Sequence, residues 1–386
     1  MNNFTFDMPT KLHFGKDSIE NLRTIKNYGE KVLIHYGKSS IKNNGVYDKV
    51  IKILTEENIE FYELGGVEAN PSLSIAQQGI EICKEKNIDI ILAVGGGSVI
   101  DSAKAVAIGS TNTEDVWTFY NGATPKNLPL PICVILTIPA TGSETSPVSV
   151  LVDKDTKQKK SISYPTLRAK FSILDPEFTY SLPPHQISCG VIDIFAHLFE
   201  RYFTPTKDVE FSDRLLEGAM IAVVQNGLPT LKNPTNYKYR SEIMLAGALA
   251  HNDTLSMGRV GDWGVHALEK VVSGYYDNAH GEGLSCIIPA WLKVAQKQEP
   301  QRFVQFFDRV FGIRYNNENQ EQAIEAGIIA VESFFKSLNV ATRFSETDKI
   351  KITEEHIKII AKENADVGAF FKLTEEEIIS VLTKAM

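Results

Sequence analysis

A parallel α/β domain followed by an all-helical domain is the fold class that these 386 residues predict. Three observations carry it. Short apolar runs alternate with helical stretches over about the first 180 residues. One of those runs, IDIILAV (88–94), is apolar throughout, as expected of a strand covered on both faces. Beyond about residue 180 nearly every segment has helical spacing.

In chain order, KVLIHYG (31–37) is a β-branched run ending at glycine, a polar helical stretch covers about 45–57, and IEFYEL (59–64) is the next strand. SLSIAQQGIEICKEK (72–86) has helical spacing and a serine near its start. After strand 88–94 a helix covers about 99–108, and PICVILTIP (131–139) is another buried strand. This rhythm implies a parallel sheet with crossover helices. LDPEFTYSLPPHQ (174–186), with three prolines, ends it. Helices are expected over 188–203, 210–227, 238–251, 262–273, 283–297, 301–311 and 319–337, and in a tail from 353 onward. The domains are therefore 1–180, α/β, and 181–386, all-helical.

Composition narrows the function. Hydrophobic residues are 43% and charged residues 23%, ordinary for a soluble globular chain. A net charge of −8 argues against nucleic acid or an acidic membrane surface as a partner. No run approaches the roughly 20 apolar residues of a membrane span. The four cysteines (Cys83, Cys133, Cys189, Cys286) form no CxxC pair, which suits reduced thiols in a cytoplasm. No export signal is visible at the amino terminus.

ILAVGGGSVIDSAKAVAIG (91–109) is a strand, three glycines, a serine and a helix. Gly95, Gly96 and Gly97 would let backbone approach a ligand, Ser98 can cap the helix, and the positive helix end suits a pyrophosphate. A tight strand-to-helix turn with no ligand is the bland alternative. The position, after an interior strand, favours a ligand site. TIPATGSETS (137–146) would supply a second wall. GKS (37–39) is not a P-loop, because Val32 stands where that motif needs glycine. The turn after this early strand, Gly37, Lys38, Ser39, Ser40, lacks the acid that bonds ribose hydroxyls. It leans to NADP(H) over NAD(H).

GVIDIFAHLFERYF (190–203) places Asp193 and His197 four apart on a largely apolar helix. Such a stripe, with Glu200 and Arg201, can simply face water. GDWGVHALEKVVSGYYDNAHGEGLS (261–285) adds His266 and His280. One oxygen and three nitrogens suit Fe²⁺ or Zn²⁺ better than Mg²⁺ or Ca²⁺.

Taken together, MPTKLHFGKDSIENL, GGVEANPS, GGGSVIDSAKA, TIPATGSE, SILDPEFTYSLP, GVIDIFAHLFERYF, GDWGVHALE and NAHGEGLS run nearly end to end in the order seen in one family. The chain resembles the iron-containing (group III) alcohol dehydrogenases, in their NADPH-dependent butanol dehydrogenase and aldehyde reductase branch. The resemblance implies a dehydroquinate synthase-like fold and one divalent metal, Fe²⁺ or Zn²⁺, on Asp193, His197, His266 and His280. It implies that Gly95, Gly96, Gly97 and Ser98 hold the pyrophosphate, that Thr137 and Thr141 seat the dinucleotide, and that Asp101 and Lys159 lie near the nicotinamide, with Lys157 and Lys160 competing for the last role. Gly37, Ser39, Ser40 and Asn70 complete the cofactor contacts. The substrate would be a small primary alcohol or aldehyde, such as butanol or butanal, and Trp263, Tyr275, Tyr276 and Phe195 are candidates to line its pocket. Family members commonly dimerise through their amino-terminal strands, and PTKLHFG (9–15) matches that region. One departure stands out: Lys270 occupies the position where many relatives carry a second histidine.

Overall fold

The computed structural model describes residues 1–316 and 318–386. Its residues group into two compact units, one of Asp7–Leu182 with Pro234–Asn252, the other of Met1–Phe6, Pro183–Asn233 and Asp253–Met386.

The first unit is built on six parallel strands, β1 (Lys11–Phe14), β2 (Lys31–Tyr36), β3 (Glu60–Leu64), β4 (Ile90–Gly95), β5 (Ile132–Leu136) and β8 (Phe171–Leu174), in the order β1-β8-β5-β4-β2-β3. Strands β6 (Val148–Asp153) and β7 (Gln158–Ser163) form a separate antiparallel pair. The helices are α1 (Ser40–Asn43), α2 (Val46–Glu56), α3 (Leu73–Lys86), α4 (Gly97–Thr111) and α5 (Val116–Tyr120). Alternate residues of the central strands go to opposite faces. Leu33, Ile91, Ala93, Val134 and Leu136 pack with Ala76, Ala103 and Val106 of α3 and α4. Val32, Ile34, Ile90, Leu92, Cys133 and Ile135 pack with Val50 and Ile53 of α2. Apolar cover on both faces is why these strands read as unbroken apolar runs.

The sequence reading overlooked β6, β7 and β8. QKKSIS of β7 is polar and largely exposed, and FSIL of β8 is too short to show a period.

The second unit is helical: α6 (Pro184–Tyr202), α7 (Glu210–Lys232), α9 (Gly264–Tyr276), α10 (His280–Ala295), α11 (Pro300–Phe311), α12 (Gln320–Ser337), α13 (Glu354–Asn364) and α14 (Glu375–Ala385). Helix α8 (Tyr237–Ala250) belongs instead with the sheet, where Thr145 Oγ1 donates to the Ala248 carbonyl at 2.7 Å. Met244 and Ala248 are part of that unit's core. Helical spacing shows that a helix forms, not which core it joins. The expected boundary at 180 therefore differs from the observed grouping at this helix and at the first six residues. The latter lie with the helical unit through Asn2 N–H to the Gly258 carbonyl, 2.8 Å.

Pro184 opens α6, where a missing N–H costs nothing. The helix is buried over nearly its whole length. Phe203 meets Phe303 at 4.8 Å and Trp291 at 5.2 Å, so an aromatic core joins α6, α10 and α11. Burying each such ring contributes about 2 to 3 kcal/mol.

Candidate metal centre and dinucleotide seat

Within the helical unit, α6 presents Asp193 and His197, α9 presents His266, and α10 begins at His280. The Asp193 carboxylate is buried, and its Oδ1 has no hydrogen-bond partner. Around that oxygen stand His197 Nδ1 at 3.5 Å, His266 Nε2 at 3.7 Å and His280 Nε2 at 3.5 Å. These separations are too long for good hydrogen bonds. They match donors sharing one ion: four atoms about 2.1 Å from a tetrahedral centre lie about 3.4 Å apart. Asp193, His266 and His280 offer donor atoms within 4.8 Å of one another. His197 stands beside that set with its ring stacked on His266, centroids 4.5 Å apart. The donor chemistry fits a divalent transition metal.

Two carboxylates that sequence reasoning left out aim these imidazoles. Glu200 on α6 accepts from His266 Nδ1, and also from the backbone N–H groups of Val265 (2.7 Å) and His266 (3.0 Å). Glu269 on α9 accepts from His280 Nδ1 and from Asn278 Nδ2 (3.2 Å). A proton on each Nδ1 leaves the Nε2 lone pair facing Asp193. Burial alone would lower the His266 pKa, but the carboxylates of Glu200 and Asp193 outweigh it and raise it to about 9. The same two carboxylates favour a cation beside this ring, a proton or a metal ion alike. A signal for both acids was present as a repeated His-x-x-Glu, at 197–200 and 266–269.

Glycines allow the close approach. A Cβ on Gly281 would lie 2.3 Å from the Cys189 carbonyl oxygen, so only glycine lets α10 press against α6 one turn before Asp193. Asp262 accepts from the N–H groups of Phe370 (2.6 Å) and Phe371 (2.9 Å), binding that loop to the start of α9. Burial, then the nearby Glu200 charge, pushes its carboxyl up to about 7. Trp263 has a left-handed backbone, φ 64°, and its ring lies 5.5 Å from His266 and 6.1 Å from His197. Phe195 is not a pocket residue: it is fully buried against Phe199, Phe311, Phe334 and Phe335. Tyr276 is engaged by His356, its hydroxyl 2.5 Å from Nδ1.

In the sheet unit, β2, β4 and β5 run side by side with Tyr36 opposite Val94 and Gly95 opposite Leu136. The turns 37–40, 95–98 and 137–141 thus emerge at one end of adjacent strands, where ligands of such sheets bind. A Cβ on Gly97 would lie 2.2 Å from Thr141 Oγ1, and Thr137 N–H donates to the Gly95 carbonyl at 3.0 Å. Ser98 does not cap α4. The cap is Gly96, and the Ser98 hydroxyl donates to the Ala69 carbonyl. Lys159 Nζ reaches Asn70 Oδ1 at 3.1 Å, whereas Lys160 Nζ reaches Asn121 at 2.5 Å and Lys157 sits at the hairpin turn with φ 58°. Asp101 is held at both oxygens, by the Ser143 hydroxyl (2.5 Å) and the Val150 N–H (3.1 Å). Lys38, beside Gly37, lies 3.6 Å from Glu68, an acid brought in by the loop after β3.

Models of one known family match both halves of the chain. The family model "Iron-containing alcohol dehydrogenase" matches residues 9–176, and "Fe-containing alcohol dehydrogenase family, C-terminal" matches 187–386. The chain belongs to the iron-containing alcohol dehydrogenase family. It is an enzyme, an oxidoreductase of the alcohol dehydrogenase class. It is 38% identical to the probable NADH-dependent butanol dehydrogenase 1 of Bacillus subtilis, over all of both chains. It is 32% identical to the NADPH-dependent aldehyde reductase YqhD of Escherichia coli, over 95% of this chain and 97% of the other. The crystal structure of the NADH-dependent butanol dehydrogenase A of Thermotoga maritima superposes with a TM-score of 0.94 at 34% identity, covering 100% of this chain and 99% of that one. No described helix is long and apolar enough to cross a membrane.

Proposed function

We propose that this member of the family interconverts a small primary alcohol and its aldehyde, butanol and butanal being the test pair, with one iron or zinc ion and NADP(H). The carrying observation is the buried, unbonded Asp193 Oδ1 with three imidazole nitrogens 3.5–3.7 Å away. Asp193, His197, His266 and His280 would hold the metal, with Glu200 and Glu269 fixing the tautomers of His266 and His280. The bound ion would supply Lewis acidity toward the carbonyl oxygen, and the dinucleotide the hydride. The chain's own part is orientation. The 95–98 turn receives the pyrophosphate, and Thr137, Thr141 and Asn70 flank it. Asp101 and Lys159 serve the nicotinamide end. The reading of NADP(H) rests on Gly37, Lys38, Ser39 and Ser40, while the Glu68 carboxylate beside that turn weighs toward NAD(H). With Lys270 in place of the relatives' histidine, the product's proton comes from solvent or the cofactor ribose.

Strand β1 is an edge strand hydrogen-bonded on one side to β8, which supports a homodimer formed through its other edge. The four free thiols support a reducing compartment, the cytoplasm.

The test is oxidation of NADPH and of NADH by butanal, with anaerobically purified protein before chelation, after it, and after return of Fe²⁺ or Zn²⁺. Activity lost to the chelator and restored by one ion is the expected result. Bound metal and bound dinucleotide without turnover of any short aldehyde would overturn the reading.

A further inference from the structure

We propose that Lys104 is a positioning residue of the dinucleotide seat, its buried ammonium tying the 143–148 segment to α4 and, through Ser143, holding the Asp101 carboxylate in place. The inference rests on the reading of the 95–98 turn as the pyrophosphate site.

Lys104 lies on α4, seven residues after Gly97, and is completely buried. Its Nζ stands within hydrogen-bond distance of the Ser143 carbonyl (2.8 Å), the Ser143 hydroxyl (2.7 Å), the Ser146 carbonyl (2.8 Å) and the Val148 carbonyl (2.7 Å), its three N–H groups shared among the four acceptors. All four acceptors belong to one stretch of chain, and none to the lysine's own helix. Residues 137–147 form neither helix nor strand, so regular hydrogen bonding does not hold them. A buried ammonium is costly unless its charge is used. Here it supplies a fixed point that a methionine of similar volume cannot.

The consequences reach the seat in two steps. Ser143 Oγ, accepting from Lys104, donates to Asp101 Oδ1 at 2.5 Å. Ser143 N–H donates to Thr141 Oγ1 at 3.2 Å, the atom that the missing Cβ of Gly97 leaves room for. Displacing Ser143 therefore loosens Asp101 and the wall facing the glycine turn together. The charged groups facing Lys104 are Asp101 on its own helix, Glu144 on the pinned segment, and Arg168 after β7. Burial pulls the lysine down to about 8, against the pull of Asp101 and Glu144 and assisted by Arg168. The clamp's charge is thus lost at mildly alkaline pH.

The experiment titrates the metal-loaded protein with NADPH and with NADH by nicotinamide fluorescence, without substrate, from about pH 6 to about pH 10. Wild type, Lys104→Met, Ser143→Ala and the double variant are compared, with bound metal measured in each. Wild-type affinity is expected to fall as pH passes about 8. Lys104→Met is expected to bind about tenfold more weakly with that alkaline limb gone. Ser143→Ala should lie between, and the double variant should bind no more weakly than Lys104→Met, because both act through one network. Metal content should be equal in all four. A folded Lys104→Met with wild-type affinity and the wild-type limb, or additive losses in the double variant, overturns the proposal. If Lys104→Met does not fold, Ser143→Ala with unchanged affinity and limb overturns it. No dinucleotide binding by wild type would sink the seat itself. Binding without butanal reduction would sink only the proposed reaction.

Discussion

Asp193 is the residue on which the metal reading turns. A buried carboxylate oxygen with no hydrogen bond is costly, and three imidazole nitrogens at 3.5–3.7 Å do not relieve it. A cation does. Asp193→Ala or His280→Ala should therefore remove both bound metal and activity, read by metal analysis and aldehyde turnover; either variant retaining both would show the ligands misassigned. The carboxylates behind the imidazoles give a finer prediction. Glu200→Gln and Glu269→Gln should each weaken metal affinity about 10- to 100-fold without unfolding the protein, measured by competition with a chelator. Glutamine can still accept from Nδ1–H but carries no charge to raise the ring's basicity.

At the scale of elements, the centre exists because α10 starts at His280 and lies hard against α6. Gly281 sets that approach, since any Cβ would meet the Cys189 backbone at 2.3 Å. Gly281→Ala should cost about 1 to 3 kcal/mol and lower metal content, as a helix pushed outward carries His280 with it. Gly218 on α7 is the control: its Cβ would meet nothing within 4 Å. Gly218→Ala should be neutral or stabilising by up to about 1 kcal/mol, from helix propensity and the stiffer unfolded chain. Thermal unfolding of both variants distinguishes crowding at one position from a general intolerance of substitution.

At the scale of the whole molecule, stability in acid depends in part on a buried ion-pair network of the helical unit. Asp213 on α7 accepts from Arg259 and from Arg302 Nη1 (2.5 Å) and Nη2 (2.7 Å), binding α11 and the 259 segment to α7. Burial alone would raise its pKa, but Arg302 and Arg259 outweigh this and hold it below the usual carboxylate value. A folded-state pKa below the unfolded one contributes stability above the unfolded value, and loses it as pH falls through the folded value. Denaturant midpoints should accordingly drop below about pH 4, and Asp213→Asn should cost about 3 kcal/mol at neutral pH while flattening that drop. An unchanged acid limb in this variant would place the sensitivity elsewhere.

Much of this was legible in the one-dimensional pattern. The apolar runs at 88–94 and 131–139 read as strands covered on both faces, and the β-branched run at 31–37 as a third strand, from their shortness and their place between helical stretches. Three glycines after the middle strand pointed to backbone approached closely, while Asp193 with His197 on an apolar helix was equally compatible with a stripe facing water until His266 and His280 and the family resemblance were set beside it. What spacing could not carry was partnership. The two His-x-x-Glu repeats each look like a local pair, yet Glu200 holds His266 and Glu269 holds His280. Helix α8 has the spacing of its neighbours, yet joins the sheet. The acid absent after β2 is answered by Glu68 from another loop. Periodicity reports which face of a segment avoids water. Which side chains then meet depends on how helices and strands pack, a property of the folded chain as a whole, and that only the tertiary structure decided.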